Sequence, residues 1–123
     1  MQTVAFYGDS IGTGWRGISS PDCRWSSLVC AELGWRELNH AVDGLGFVRR
    51  RGPDRTHTGE PLGVLAEVLA SDADACVVAL GANDSMLVAE RHDEVRAAVA
   101  RDLDLLVHRF GTRRLAVLDL YSG

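Results

Sequence analysis

The sequence predicts an α/β fold, a three-layer α/β/α sandwich built around an open parallel sheet. Two observations indicate this: short apolar runs alternate with amphipathic segments of helical length, and the last two runs are nearly continuous in Val, Leu and Ala. Such runs are typical of strands covered on both faces, and strands separated by helices pair in parallel. With 123 residues, 46% of them hydrophobic, the chain is expected to form one domain over residues 1–123.

Four strands and three helices are predicted in the order β-α-β-α-β-α-β. The apolar runs place the strands at Thr3–Tyr7, Arg36–Asn39, Ala75–Leu80 and Arg114–Leu120. The first helix, Trp25–Leu33, ends at the helix-stopping Gly34, and the second, Pro61–Ala70, carries proline in its first turn.

The third helix is predicted from about Asp93 to Phe110, just before Gly111. Its apolar stripe consists of Val95, Val99, Leu103, Leu106, Val107 and Phe110. We expect this stripe to face the sheet.

Charge and composition favour a small-molecule partner. The formal net charge is -4 with both signs interspersed, so no run of one sign indicates nucleic acid or a membrane surface. No segment approaches the length of a membrane span and the first residues resemble a strand, so we expect a cytoplasmic protein without a signal peptide. The cysteines, Cys23, Cys30 and Cys76, lack zinc-ligand spacing, so they are interpreted as reduced structural thiols and no metal is expected.

Three loops that follow predicted strands carry the residue types of acyl transfer. In open α/β sheets, ligands bind beyond the carboxyl ends of the strands. The first loop, GDSIGTG, offers Ser10 as a nucleophile, and the second and third offer the backbone N–H of Gly44 and the amide of Asn83. Together with the N–H of Ser10, these are suitable oxyanion donors.

Further residues near these loops are predicted to contact a substrate: Trp15, Asp9 and Gly46. Asp9 and Asp84 are more readily interpreted as turn-capping side chains than as acids or bases. The second loop also holds a group of arginines, which we interpret as a solvated cluster: Arg49, Arg50, Arg51 and Arg55.

These motifs, in this order and at strand ends, resemble those of the SGNH (GDSL-type) hydrolase family. The matching blocks are GDSIGTG, the stretch from Asn39 to Gly44, and the G-x-N-D sequence from Gly81 to Asp84. The resemblance implies a flavodoxin-like sheet and esterase or lipase-like hydrolysis of a small-molecule ester without a cofactor. It also implies Ser10 as nucleophile and an oxyanion hole formed by Ser10, Gly44 and Asn83.

The family's fourth motif, D-x-x-H near the carboxyl terminus, supplies the general base, and this sequence has none there. We therefore expect a truncated domain that lacks the family's last strand and helices. His57 and His92, in loops near the same edge, are hypothesised to substitute as the base; His40 and His108 are less favoured. We further expect marginal stability and a complementing chain or self-association through the exposed last strand.

Two other functions stay open. One is a catalytically inactive fragment or binding module that keeps the crevice. The other is a flavodoxin-like nucleotide binder, because Gly12, Gly14 and Gly17 form a G-x-G-x-x-G sequence with Glu37 about twenty residues further on. Titration with a flavin or NAD discriminates the nucleotide binder from the other two.

Overall fold

The computed structural model describes residues 1–9, 20, 23–48, 50 and 62–118. Its four strands are β1 (Thr3–Gly8), β2 (Arg36–Asn39), β3 (Ala75–Ala79) and β4 (Leu115–Val117). The α-helices are α1 (Trp25–Leu33), α2 (Leu65–Ala70) and α3 (His92–Phe110). Two 3-10 helices cover Ala82–Leu87 and Thr112–Arg114.

The strands form one parallel sheet in the order β2-β1-β3-β4. Strand β1 is buried along its whole length because it has a neighbour on each side and helices on both faces. The chain moves from β1 to β2 in one direction and then returns past β1 to β3. The connections therefore diverge between β1 and β3, the point at which open α/β sheets bind ligands.

Alternate residues of β1 point to opposite faces of the sheet and divide the core in two. Val4 and Phe6 pack with Cys30 of α1, and the Phe6 ring meets Trp25 edge to face with centroids 5.3 Å apart. On the other face, the larger cluster contains Ala5 and Tyr7 together with residues of α2 and α3. The predicted three-layer α/β/α arrangement with a parallel sheet is confirmed.

Two predicted boundaries were wrong for local reasons. Helix α2 begins at Leu65 instead of Pro61, because Gly63 has φ 56° and a right-handed helix cannot pass through a left-handed residue. Strand β4 begins after a 3-10 turn that includes Arg114. The strand ends at Val117, before the predicted end at Leu120. The N–H of Leu118 still bonds to the carbonyl of Val78 at 2.8 Å.

The buried side of α3 differs from the predicted apolar stripe. Its buried residues recur every four positions and are Ala98, Asp102, Leu106 and Phe110. Val99 and Leu103 of the predicted stripe are partly buried against the same core. Val107, which the stripe included, is 39% exposed. The buried side includes Asp102. A prediction based on apolar residues alone excludes this aspartate and therefore places the buried side on a neighbouring part of the helix surface.

Strand β4 forms one edge of the sheet, and its last residue, Val117, is 53% exposed. Self-association through this edge stays a prediction. Within the described ranges, the structure contains no helix that combines the length and the apolar character needed to cross a bilayer. Cys30 and Cys76 are free and buried, and burial raises the pKa of Cys76 to about 12, which keeps this thiol protonated.

Candidate active site

The carboxyl ends of β1, β2 and β3 meet at one edge of the sheet. The N–H of His40 bonds to the carbonyl of Phe6 at 2.8 Å, and the N–H of Val42 bonds to Gly8 at 3.0 Å. A Cβ on Gly8 would lie 3.0 Å from the carbonyl oxygen of Ala79. The three loops selected from the sequence therefore start side by side.

Gly44 lies in a tight turn at the start of the second loop. The N–H of Leu45 closes the turn on the carbonyl of Val42 at 3.1 Å, and Gly44 has φ 81°. Residues with a side chain rarely adopt this conformation. The turn therefore requires glycine independently of any substrate, and the role of the Gly44 N–H as an oxyanion donor stays a prediction.

Asn83, from the 3-10 helix after β3, reaches the same loop. Its Nδ2 donates a hydrogen bond to the carbonyl oxygen of Leu45 at 2.8 Å, and its side chain is half-buried. An amide nitrogen carries two hydrogens. One fixes the orientation of the Asn83 amide, and the second can be donated to a developing oxyanion.

Asp84 holds the second loop at Phe47 and Val48. It is 2% exposed, and its carboxylate accepts the N–H groups of Phe47 at 2.6 Å and of Val48 at 3.1 Å. We expected a cap on a nearby turn, whereas Asp84 caps a loop that lies more than thirty residues earlier. Gly46, predicted to contact substrate, packs against this carboxylate, since a Cβ there would lie 2.6 Å from Oδ1.

At Arg50, the second loop is anchored by a buried ion pair that the sequence patterns did not predict. Arg50 donates to Asp102 Oδ2 at 2.9 Å and to the Tyr7 hydroxyl at 2.6 Å, and Tyr7 donates to Asp102 at 2.9 Å. The side chain of Arg50 is 9% exposed and that of Asp102 is 0% exposed. The prediction that Arg50 belongs to a solvated cluster was wrong, because its charge is neutralised inside the core.

This ion pair also acts on its neighbours. Burial, followed by the charge of Asp102, raises the pKa of Tyr7 well above its ordinary value. The phenol therefore stays protonated and keeps donating to Asp102. Arg101 approaches the same carboxylate at 3.3 Å and the carbonyl of Phe47 at 3.5 Å.

Glu37 has a structural partner instead of the ribose that the nucleotide-binding alternative would require. Its two carboxylate oxygens accept the hydroxyls of Ser26 and Ser27 at the start of α1. Asn39 donates to Ser26 at 3.0 Å and accepts the N–H of Ala41 at 2.8 Å. This network fixes the point at which β2 passes into the second loop.

The remaining predicted site residues are either outside the described ranges or away from the Gly44 turn. Ser10, Trp15 and His57 lie outside the described residues. Asp9 is fully buried at the end of β1. His92 is the first residue of α3, its side chain is 63% exposed, and its Nδ1 lies 3.5 Å from Asp93, too far for the hydrogen bond that orients a catalytic imidazole.

An apolar cavity of about 580 Å³ lies next to the 3-10 helix that carries Asn83. Gly81, Asp84 and Ser85 line it together with a set of apolar side chains, which are Phe47, Leu80, Val88, Val95, Val99, Val117 and Leu118. No motif indicated this cavity, because its lining comes from four separate segments. Among the described residues, no cluster of three or more His, Cys, Asp or Glu side chains is arranged to hold a metal ion.

His40, between β2 and the Gly44 turn, is expected to make stability depend on pH. Burial lowers the pKa of His40 below its ordinary value of 6.5, and Glu67 partly offsets this shift. The unfolded chain therefore binds the proton more tightly, so this contribution to stability is complete above about pH 6.5 and is lost as the pH falls towards the folded-state pKa.

Replacing His40 with glutamine is expected to reduce the loss of stability on acidification. Urea unfolding at about pH 7.5 and about pH 5.5 measures the difference, with the exposed His108→Gln as the control. Equal pH dependence in the two variants would contradict this assignment to His40.

Comparison with known proteins shows what this arrangement is similar to. No protein-family model and no curated protein sequence matches the chain. The crystal structure of TesA is similar over 98% of this chain and 62% of that chain, with 21% identity and a TM-score of 0.71. AlinE4, an SGNH-hydrolase family esterase, is similar over 99% of this chain and 60% of its own, with 19% identity and a TM-score of 0.71.

The chain has the SGNH hydrolase fold. A carbohydrate acetylesterase family member from Sinorhizobium meliloti is also similar, over 89% of this chain and 55% of that chain, with 20% identity and a TM-score of 0.62. The fold that the three motifs predicted is thus confirmed. This chain spans 62% and 60% of the lengths of TesA and AlinE4.

Proposed function

We propose that this protein hydrolyses small-molecule esters through Ser10, without a cofactor. The observation that supports this most is the Asn83 amide, which is held 2.8 Å from the carbonyl of Leu45 beside the Gly44 turn, in a fold shared with esterases. The nucleophile motif begins at Gly8, the last residue of β1. These residues belong to the three loops at the edge where open α/β sheets bind ligands.

In the proposed reaction, the Ser10 hydroxyl attacks the ester carbonyl carbon while its proton passes to a general base. The carbonyl electron pair moves onto oxygen, and the N–H groups of Ser10, Gly44 and Asn83 stabilise that charge. The intermediate collapses, and the alcohol leaves with the proton from the base. Water then attacks the acyl-serine by the same steps and releases the acid.

The general base is assigned to His57 in this proposal, with His92 as the alternative. His57 ends a D-x-x-H sequence that begins at Asp54, which has the residue types and spacing of the family's fourth motif but lies in the second loop. A carboxylate near the imidazole favours the tautomer that accepts a proton from serine. His92 has a neighbouring aspartate, but their 3.5 Å separation is too long for that role.

The apolar cavity next to the 3-10 helix of Asn83 favours an ester with an apolar acyl group. Its lining is mainly apolar, with Asp84 and Ser85 as the polar members, and it includes Gly81, two residues from the amide donor. We assign this cavity to an apolar acyl chain. A comparison of p-nitrophenyl acetate with its hexanoate and decanoate homologues measures the preferred chain length.

Turnover of p-nitrophenyl acetate tests the proposal. The unaltered chain is expected to hydrolyse it, and Ser10→Ala is expected to reduce the rate to that of buffer, because no other group forms the acyl-enzyme. Ser20→Ala, which alters an exposed serine, is the matched control and should retain the rate. Hydrolysis by Ser10→Ala at the unaltered rate would contradict the proposal.

The same assay assigns the base. His57→Ala is expected to lose turnover while His92→Ala retains it. The opposite pattern would assign the role to His92. Full activity in the double variant would exclude both histidines.

A further inference from the structure

We propose that Asp84 is a positioning residue that sets the geometry of the oxyanion hole by holding the backbone of the second loop. This inference rests on the proposed function. Its structural part is a clamp in which the Asp84 carboxylate holds residues 46–48, and this part does not depend on catalysis. The role assigned to Asp84 is distinct from that of Asn83, which would touch the substrate.

Neighbouring residues of one 3-10 helix hold the loop in complementary ways. Asn83 donates to the carbonyl of Leu45 at 2.8 Å, while Asp84 accepts the N–H groups of Phe47 and Val48 at 2.6 and 3.1 Å. The N–H of Asp84 bonds in turn to the carbonyl of Gly81 at 3.0 Å, directly after β3. Three hydrogen bonds therefore join the loop to the 3-10 helix, and the fourth joins that helix to the end of β3.

The glycine opposite Asp84 supports the same role. A Cβ on Gly46 would lie 2.6 Å from Oδ1 and 2.8 Å from both Cγ and Oδ2 of Asp84. Gly46 is not among the residues with positive φ, so backbone conformation does not explain the glycine. Its absent side chain is what allows the carboxylate to approach the loop.

The position of the clamp connects it with catalysis. Gly46 lies two residues after Gly44, so a displaced clamp moves the turn that carries the proposed oxyanion N–H. A displacement of about 1 Å at a reacting group can cost roughly 100-fold in rate. Asp84 thus holds the donors in register through the loop backbone, from a position in which it is itself 2% exposed.

Amide exchange tests the clamp without any need for activity. Asp84→Asn preserves the size of the side chain but replaces one acceptor oxygen with an NH2 group. We expect faster hydrogen exchange at the amides of Phe47 and Val48 and a shifted resonance for the Gly44 amide. Asp104→Asn, an exposed aspartate on α3, should leave all three amides unchanged. An unchanged Gly44 resonance in Asp84→Asn would overturn the proposal.

Kinetics test the link to the oxyanion hole. In folded Asp84→Asn, we expect the rate of Ser10 labelling by a fluorophosphonate and the kcat for p-nitrophenyl acetate to fall roughly 10- to 100-fold, with little change in KM. A merely structural role would reduce the folded fraction but leave the kcat of the folded protein unchanged, and that result would overturn the proposal. Absence of labelling in the unaltered chain would instead contradict the proposed function, and the exchange data would then decide the clamp alone.

A double variant tests whether Gly46 and Asp84 act through one contact. Gly46→Ala alone should disturb exchange at Phe47 and Val48, because its methyl group collides with the carboxylate. In an Asp84→Ala background the carboxylate is gone, so Gly46→Ala should add little further change. Fully additive effects would show that the two residues do not act through one contact and would overturn the proposal.

Discussion

Replacing Asp102 with alanine is expected to lower the free energy of unfolding by about 3 to 5 kcal/mol. The change leaves the guanidinium of Arg50, 9% exposed, in the core without its carboxylate. It also removes the acceptor of the Tyr7 hydroxyl. This loss is a large fraction of the total stability of a typical domain, which is about 5 to 15 kcal/mol.

Urea unfolding followed by circular dichroism measures this loss. The matched control is Asp104→Ala, which removes an exposed aspartate from the same helix and should change stability by less than about 0.5 kcal/mol. Equal effects of the two substitutions would contradict a buried ion pair. A double variant, Arg50→Met with Asp102→Leu, is expected to recover much of the loss, because removing both charges leaves no unpaired ion.

Replacing Asn83 with alanine is expected to lower kcat for p-nitrophenyl acetate by roughly 100- to 1,000-fold, the usual cost of removing one oxyanion donor. The donor acts mainly in the transition state, so KM should change far less than kcat. The variant also loses the bond to Leu45, and a stability measurement is therefore needed alongside.

Met86→Ala is the control for this experiment, since Met86 belongs to the same 3-10 helix and is 84% exposed. It should retain the unaltered kcat. Unchanged turnover in folded Asn83→Ala would remove Asn83 from the oxyanion hole.

Much of the fold follows from local patterns in the sequence. The apolar run of β1 and the helix-length segment of α1 predicted their elements to within one residue. The motifs at the ends of β1, β2 and β3 were identified because parallel strands bring their carboxyl ends to one edge. Each strand, helix and motif is recognised from neighbouring residues, and the parallel arrangement of the strands then brings the motifs together.

The missed features depend on partners far apart in the chain. Asp102 looks like a surface residue until Arg50, more than fifty residues earlier, is placed beside it. Asp84 looks like a cap for its own turn until the amides of Phe47 and Val48 meet its carboxylate. Such pairings depend on how α3 and the 3-10 helix pack against the second loop, which periodicity does not specify.

Intact mass after exposure to a fluorophosphonate tests most directly whether Ser10 is an activated nucleophile beside an oxyanion hole. We predict one adduct on the folded, unaltered chain and none on Ser10→Ala. A folded chain that gains no mass, or one that is labelled equally with and without Ser10, would contradict the account and favour a binding module that has kept the SGNH fold without its chemistry.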